Sequence, residues 1–126
     1  ESFILGKGIK DAIARAHSYV DAGADGIMIH SKSSNPSEIF EFSKKFRKFY
    51  KEIPLISVPS SYNHVRENVL KENGFNIVIY ANHMLRASYP SMQNVAKTIL
   101  KNQRSKESDK QLLSIKQILN LIPGTN

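Results

Sequence analysis

Four short apolar runs, at residues 2–5, 26–30, 54–58 and 76–80, recur along the chain. Their starts lie about two dozen residues apart, the length of one strand–helix unit. Each run is continuously apolar and rich in Ile and Val rather than alternating, the pattern of parallel strands covered on both faces. Between the runs the period becomes helical. Ile9, Ile13, Ala16 and Val20 form one stripe, and Ile39, Phe42, Phe46 and Phe49 a second. Val65 and Val69 mark a shorter third, and Met92, Val95, Ala96, Ile99 and Leu100 belong to a fourth.

The punctuation agrees with this register. Asn35-Pro36-Ser37-Glu38 reads as an N-cap, a proline at the first helical position and a capping-box glutamate. Gly23 and Gly74 each close a helical pattern ahead of a strand, where a left-handed C-cap is wanted. Residues 103–111 are polar and charged and read as a solvated loop or helix end. Ile115, Ile118, Leu119 and Ile122 make a last amphipathic helix, ended by Pro123-Gly124, that follows no strand. The expected organisation is one α/β domain, its repeat over residues 1–105 and its linker and trailing helix over 106–126.

Four successive strand–helix units suit either a small open doubly wound sheet or half of an eight-unit barrel. A complete barrel takes about 250 residues, and this chain has 126. Spacing leaves both architectures open. The chain starts at Glu1, without methionine and directly on an apolar run, which favours the barrel half and a longer parent.

At 40% hydrophobic and 23% charged residues, the chain has the composition of a globular domain and not of a disordered tail. No stretch approaches the roughly 20 consecutive apolar residues of a membrane helix, and no signal pattern opens the chain, so no membrane partner is expected. The absence of cysteine excludes disulfides, cysteine-ligated metal and a thiol nucleophile, and points to a cytoplasmic location. A net charge of +7 allows nucleic acid, an acidic membrane surface or a phosphorylated small molecule as partner. Lys44-Lys45-Phe46-Arg47-Lys48-Phe49-Tyr50-Lys51 interleaves basic and aromatic residues. Helical spacing instead places Phe46 and Phe49 on a buried stripe with the lysines in water, so no nucleic acid is expected.

In both architectures ligands bind beyond the carboxyl ends of the strands. Those ends carry Gly6-Lys7-Gly8, His30-Ser31-Lys32-Ser33-Ser34, Pro59-Ser60-Ser61-Tyr62 and Ala81-Asn82-His83. His30 is the sharpest candidate, because an imidazole closing a strand is held by backbone and can donate to an anion or move a proton. Its alternative is an ordinary histidine ending a strand. Ser31 and Lys32 offer further donors to an oxyanion or phosphoryl group, or else a solvated loop. Asn82 holds a ligand or caps the next helix. Gly6-Lys7-Gly8 lacks the spacing of a phosphate loop and reads as a tight strand-to-helix turn. Asp11 and Asp25 lie within a helix and before a strand, so no metal site and no complete catalytic set is expected here. His17 and His64 read as surface residues.

His30-Ser31-Lys32, Val58-Pro59-Ser60-Ser61-Tyr62, Tyr80-Ala81-Asn82-His83-Met84-Leu85-Arg86-Ala87-Ser88 and Ala22-Gly23-Ala24-Asp25-Gly26 together resemble the phosphoenolpyruvate mutases of the isocitrate lyase superfamily. The resemblance extends from Glu1 to Ile118. It implies the C-terminal half of a (β/α)8 TIM-type barrel, strands five to eight and the following helices. It also implies interconversion of phosphoenolpyruvate and phosphonopyruvate, with Mg2+ held by residues outside this segment. Of the family's substrate-binding positions, His30 is the one present. The metal-binding acids, the aspartate that handles the phosphoryl group and the gating loop are absent, so the segment alone is expected to be inactive. The resemblance further implies a homodimer or tetramer that exchanges the eighth helix, residues 84–102, and a nucleotidyltransferase domain after Pro123-Gly124-Thr125. Two alternatives stand beside the mutase. One is a phosphonopyruvate hydrolase or another carbon–carbon or carbon–phosphorus lyase of the superfamily. The other is a non-catalytic α/β module that binds a phosphorylated ligand.

Overall fold

The computed structural model describes residues 1–122 and Gly124. The helix end at Pro123 and the junction completed by Thr125 lie outside the described residues. Two compact units divide the chain, Glu1–Ala81 and Asn82–Asn126. The boundary expected between residues 105 and 106 falls inside the second.

The first unit runs α1 (Gly8–Asp21), β1 (Ile27–Ile29), α2 (Ser37–Phe46), β2 (Leu55–Ser57), α3 (Glu67–Glu72) and β3 (Ile77–Val78). The three strands form one parallel sheet in sequence order, β1-β2-β3. Met28 is level with Ile56 and Ile56 with Ile77, while Ile29 is level with Ser57 and Ser57 with Val78. Successive right-handed crossovers that advance in one direction put their helices on the same face. Burial follows from this. Ile27, Ile29, Leu55 and Ser57 are buried, whereas Met28 is 51% and Ile77 45% exposed. The expectation of strands covered on both faces is corrected for this unit: the helices cover one face and leave Met28 and Ile77 open.

The first apolar run is not a strand. Its backbone closes on itself, with Leu5 N–H donating to Glu1 O at 2.9 Å, Gly6 N–H to Phe3 O at 3.1 Å and Lys7 N–H to Ser2 O at 2.9 Å. A strand needs a neighbour for its N–H and C=O groups; without one, those groups are satisfied locally. The apolar content is still buried, because Phe3 sets its ring edge on Phe42 at 6.5 Å. Gly6 and Gly8, at φ +69° and +74°, make the tight turn into α1.

The core joins Phe3, Ala12 and Ala16 to Ile27, Ile29, Ile39, Phe42, Phe46, Leu55, Tyr62, Leu70 and Phe75. Ile9, Ile13 and Val20 flank α1's small buried residues and are only partly buried. Phe49, expected on the buried stripe, is 65% exposed. Helix α2 ends at Phe46, so helical spacing no longer applies three residues later. Helix α3 buries Leu70, and Val65 lies in the turn before it. Gly23 and Gly74 adopt φ +92° and +86°. Ala24 N–H donates to Tyr19 O at 2.9 Å and Phe75 N–H to Leu70 O at 3.1 Å, the closing bonds of left-handed caps.

The second unit comprises α4 (His83–Asn102), a 3₁₀ helix (Lys106–Gln111) and α5 (Ile115–Leu119). Helix α4 ends at Gln103, which takes a left-handed conformation at φ +53°. The segment expected as solvated loop is partly ordered into the 3₁₀ helix, with Ser108 buried and Asn94 Nδ2 donating to Gln111 Oε1 at 2.7 Å. Ser114 and Gln117 form a reciprocal capping box that starts α5. No residue of α4 is buried. Met92, Val95 and Ile99 share an apolar groove of about 910 Å³ with Leu112, Leu113 and Ile118.

Candidate functional site

Along β1 and just beyond it, burial alternates: Ile27 buried, Met28 exposed, Ile29 buried, His30 half-buried, Ser31 fully buried. A strand's side chains point to opposite faces in turn, so His30 follows Met28 onto the open face at the carboxyl end of the sheet. Ser31 follows Ile29 toward the helix layer. Parallel sheets offer this end to ligands, and His30 lies there, directly after β1.

The loop after His30 is tied down by its own side chains. Ser31 Oγ donates to Glu38 Oε1 and accepts the Ser33 N–H at 2.9 Å. Ser33 Oγ accepts the Asn35 N–H at 3.1 Å, and Asn35 Oδ1 accepts the Ser37 N–H at 2.9 Å. Pro36 rather than Asn35 stands at the N-cap of α2, without a side-chain cap bond, so the expected Asn35 cap, the proline at the first helical position and the capping box are all corrected. The Asn35 N–H is already held by Ser33, and Glu38 turns to Ser31. Lys32 is exposed, its side chain free to meet solvent. Asn82 is exposed at the N-cap of α4 without a side-chain cap bond, and its carbonyl accepts Arg86 N–H at 2.9 Å.

At the carboxyl end of β2, Ser57 and Tyr62 are fully buried. The Ser57 hydroxyl has no protein partner, and the Tyr62 hydroxyl lies by the Val58 backbone without a well-aligned hydrogen bond. Burial pushes the Tyr62 phenol above its ordinary value, and the Val58 backbone only partly offsets this. Beyond β3, Tyr80 donates to Glu67 Oε1 at 2.8 Å, which raises the Tyr80 phenol in turn.

Of the two histidines read as surface residues, His64 is exposed, while His17 is half-buried with Nδ1 2.7 Å from Tyr50 Oη. The basic run divides. Lys44, Lys45, Lys48 and Lys51 are exposed, and Lys45 pairs with Glu41 at 2.8 Å. Arg47 turns inward to the backbone carbonyls of Tyr50, Ile53 and Gly74. Composition groups it with the lysines; only the positions of those carbonyls separate it. Glu38 was also legible only as a cap, since nothing local marks a partner seven residues upstream. Among the described residues no three His, Asp or Glu side chains cluster to hold a metal. These residues by themselves therefore do not suit Mg2+. No described helix is long and apolar enough to cross a membrane.

The chain is similar to known proteins over most of its length. A family model described as phosphoenolpyruvate phosphomutase matches residues 1–100. A phosphoenolpyruvate phosphomutase of Tetrahymena pyriformis is 36% identical over 96% of this chain and 39% of its own length. A phosphonopyruvate hydrolase of Variovorax sp. strain Pal2 is 35% identical over 96% of this chain and 41% of its own. A crystal structure of a phosphonopyruvate hydrolase superposes with a TM-score of 0.84 at 35% identity, over 96% of this chain and 42% of that one. The phosphoenolpyruvate phosphomutase of Streptomyces platensis subsp. rosaceus superposes at 0.81 with 29% identity, over 90% and 39%. A hydrolase complex with oxalate and Mg2+ superposes at 0.83. The chain thus spans about two-fifths of the relatives it matches.

Proposed function

The chain belongs to the phosphoenolpyruvate phosphomutase family, and from that premise we propose that its full-length gene product acts on a phosphoenolpyruvate- or phosphonopyruvate-like substrate. The carrying observation is His30, half-buried at the carboxyl end of β1 on the sheet's open face. There its ring donates a hydrogen bond to a substrate oxygen and stabilises the enolate charge that develops when the bond to phosphorus breaks. Lys32 is a further exposed donor for the phosphoryl group.

Two reactions fit this chemistry. Hydrolysis breaks the carbon–phosphorus bond of phosphonopyruvate with water and releases pyruvate and phosphate. Isomerisation moves the phosphoryl group to the enolate oxygen and gives phosphoenolpyruvate. The hydrolase relative is supported by both 35% sequence identity and a TM-score of 0.84, and the mutase by 36% identity to a phosphomutase. In our reading the open face of the sheet, with Met28 and Ile77, belongs to the interior of a barrel that further strands complete. Mg2+ is then held by carboxylates outside the described residues, and α4 with its apolar groove meets a second subunit.

Phosphorus NMR of the full-length gene product with phosphonopyruvate and Mg2+ separates the readings. Inorganic phosphate together with pyruvate marks the hydrolase, and phosphoenolpyruvate marks the mutase. Neither product overturns the proposal. His30→Ala is expected to lower turnover by about tenfold or more, at ~1.4 kcal/mol per decade. The 126 residues alone are expected to show no turnover.

A further inference from the structure

We propose that Ser31 and Glu38 act as a pair that positions His30, with Glu38 a positioning residue that works through Ser31 and never meets substrate. The proposal rests on the reading of His30 given above. Ser31 is fully buried, so its hydroxyl is not offered to a ligand on the open face. It has one proton to donate, and that proton goes to Glu38 on the first turn of α2. It also accepts the Ser33 N–H at 2.9 Å. The residue directly after His30 is thus bound at once to a helix and to its own loop.

His30 is itself outside the β1 ladder, which ends at Ile29. On its amino side the chain is held by the sheet, where Ile29 is level with Ser57. On its carboxyl side no ladder continues, and the anchor is the Ser31–Glu38 bond followed by the Ser33 and Asn35 links. Cutting the first of these frees the peptide that fixes where the imidazole points. Small misplacements of a substrate-positioning group cost orders of magnitude in rate, because the geometry of attack is lost.

The test reads the ring directly. In the full-length gene product labelled with 15N-histidine, the His30 ring signals are assigned by their loss in His30→Ala. Glu38→Ala is expected to shift or broaden those signals. Glu38→Gln, which keeps a carbonyl acceptor for the Ser31 hydroxyl, leaves them in place. On phosphonopyruvate, Glu38→Ala is expected to lower kcat by about tenfold with little change in KM, and Glu38→Gln restores it. In a His30→Ala background Glu38→Ala adds nothing, because residues that act through one another are non-additive. Ser31→Ala makes the same cut from the other side should Glu38→Ala fail to fold. Ring signals that stay in place in the alanine variants, or losses that add in the double variant, overturn the pair. A product inert on phosphonopyruvate whose His30 ring still responds to Glu38 overturns the functional reading and supports the pair.

Discussion

Arg47 reaches from the end of α2 to Asn76, its Nη2 donating to the same side-chain oxygen that accepts the Leu55 N–H at 2.9 Å. Further bonds run to Gly74 O at 2.6 Å, Ile53 O at 2.7 Å and Tyr50 O at 3.0 Å. One guanidinium therefore ties the amino ends of β2 and β3 to the end of α2. Burial lowers the Arg47 pKa, against an opposing effect of Glu52, but the fork stays charged. Arg47→Ala is expected to cost about 2–3 kcal/mol, since charged hydrogen bonds to partly buried carbonyls are lost. Arg47→Lys should recover only a fraction, because an ammonium cannot span those acceptors. Urea denaturation of both variants measures this, and equal stabilities would contradict it.

Gly74 and Gly23 both sit at left-handed caps, yet they are not equivalent. A Cβ on Gly74 would lie 2.9 Å from Ser43 Oγ and 3.2 Å from Arg47 Cγ, whereas one on Gly23 meets nothing within 4 Å. The left-handed conformation alone costs about 1–2 kcal/mol for an L side chain. Gly23→Ala should lose about that much. Gly74→Ala should lose more, because Ser43, which donates to the Asn73 carbonyl, has to move. Matched denaturation curves rank the two.

Phe46 and Phe49 share a sequence motif and differ in burial, at 1% and 65% exposed. Phe46→Ala should cost about 3–5 kcal/mol through the cavity it leaves. Phe49→Ala removes only an edge contact with His17, at 4.9 Å between ring centres, and should cost less than about 1 kcal/mol. A comparison of the two midpoints tests the observed end of α2.

Tyr62 makes stability depend on alkaline pH. Its phenol is raised by burial, so the folded state favours the neutral form. That contribution is complete below the unfolded phenol's value of about 10. It is lost as pH rises through the higher folded value. Tyr80, raised by its bond to Glu67, acts in the same window, so the comparison is made in a Tyr80→Phe background. There, Tyr62→Phe should flatten the alkaline loss of stability. It should also add about 1 kcal/mol at neutral pH, since a buried hydroxyl without a well-formed hydrogen bond is removed. An unchanged alkaline limb would argue against it.

Period and punctuation along the chain were enough for three of the four strands, the helices between them, the caps at Gly23 and Gly74, and His30 at a strand's carboxyl end. These are local properties: a short apolar run, helical spacing and a left-handed φ are decided within a few residues, so they survive in one dimension. Tertiary structure decided the rest. Residues 2–5 have strand composition but no neighbour to pair with, and only a neighbour makes a strand. The basic run around Arg47 is uniform in sequence, and only carbonyls brought in from β2 and β3 turn one of its members inward. Ser31 and Glu38 look like a loop hydroxyl and a helix cap until the fold brings them together, because a hydrogen bond is specified by where its two ends arrive in space.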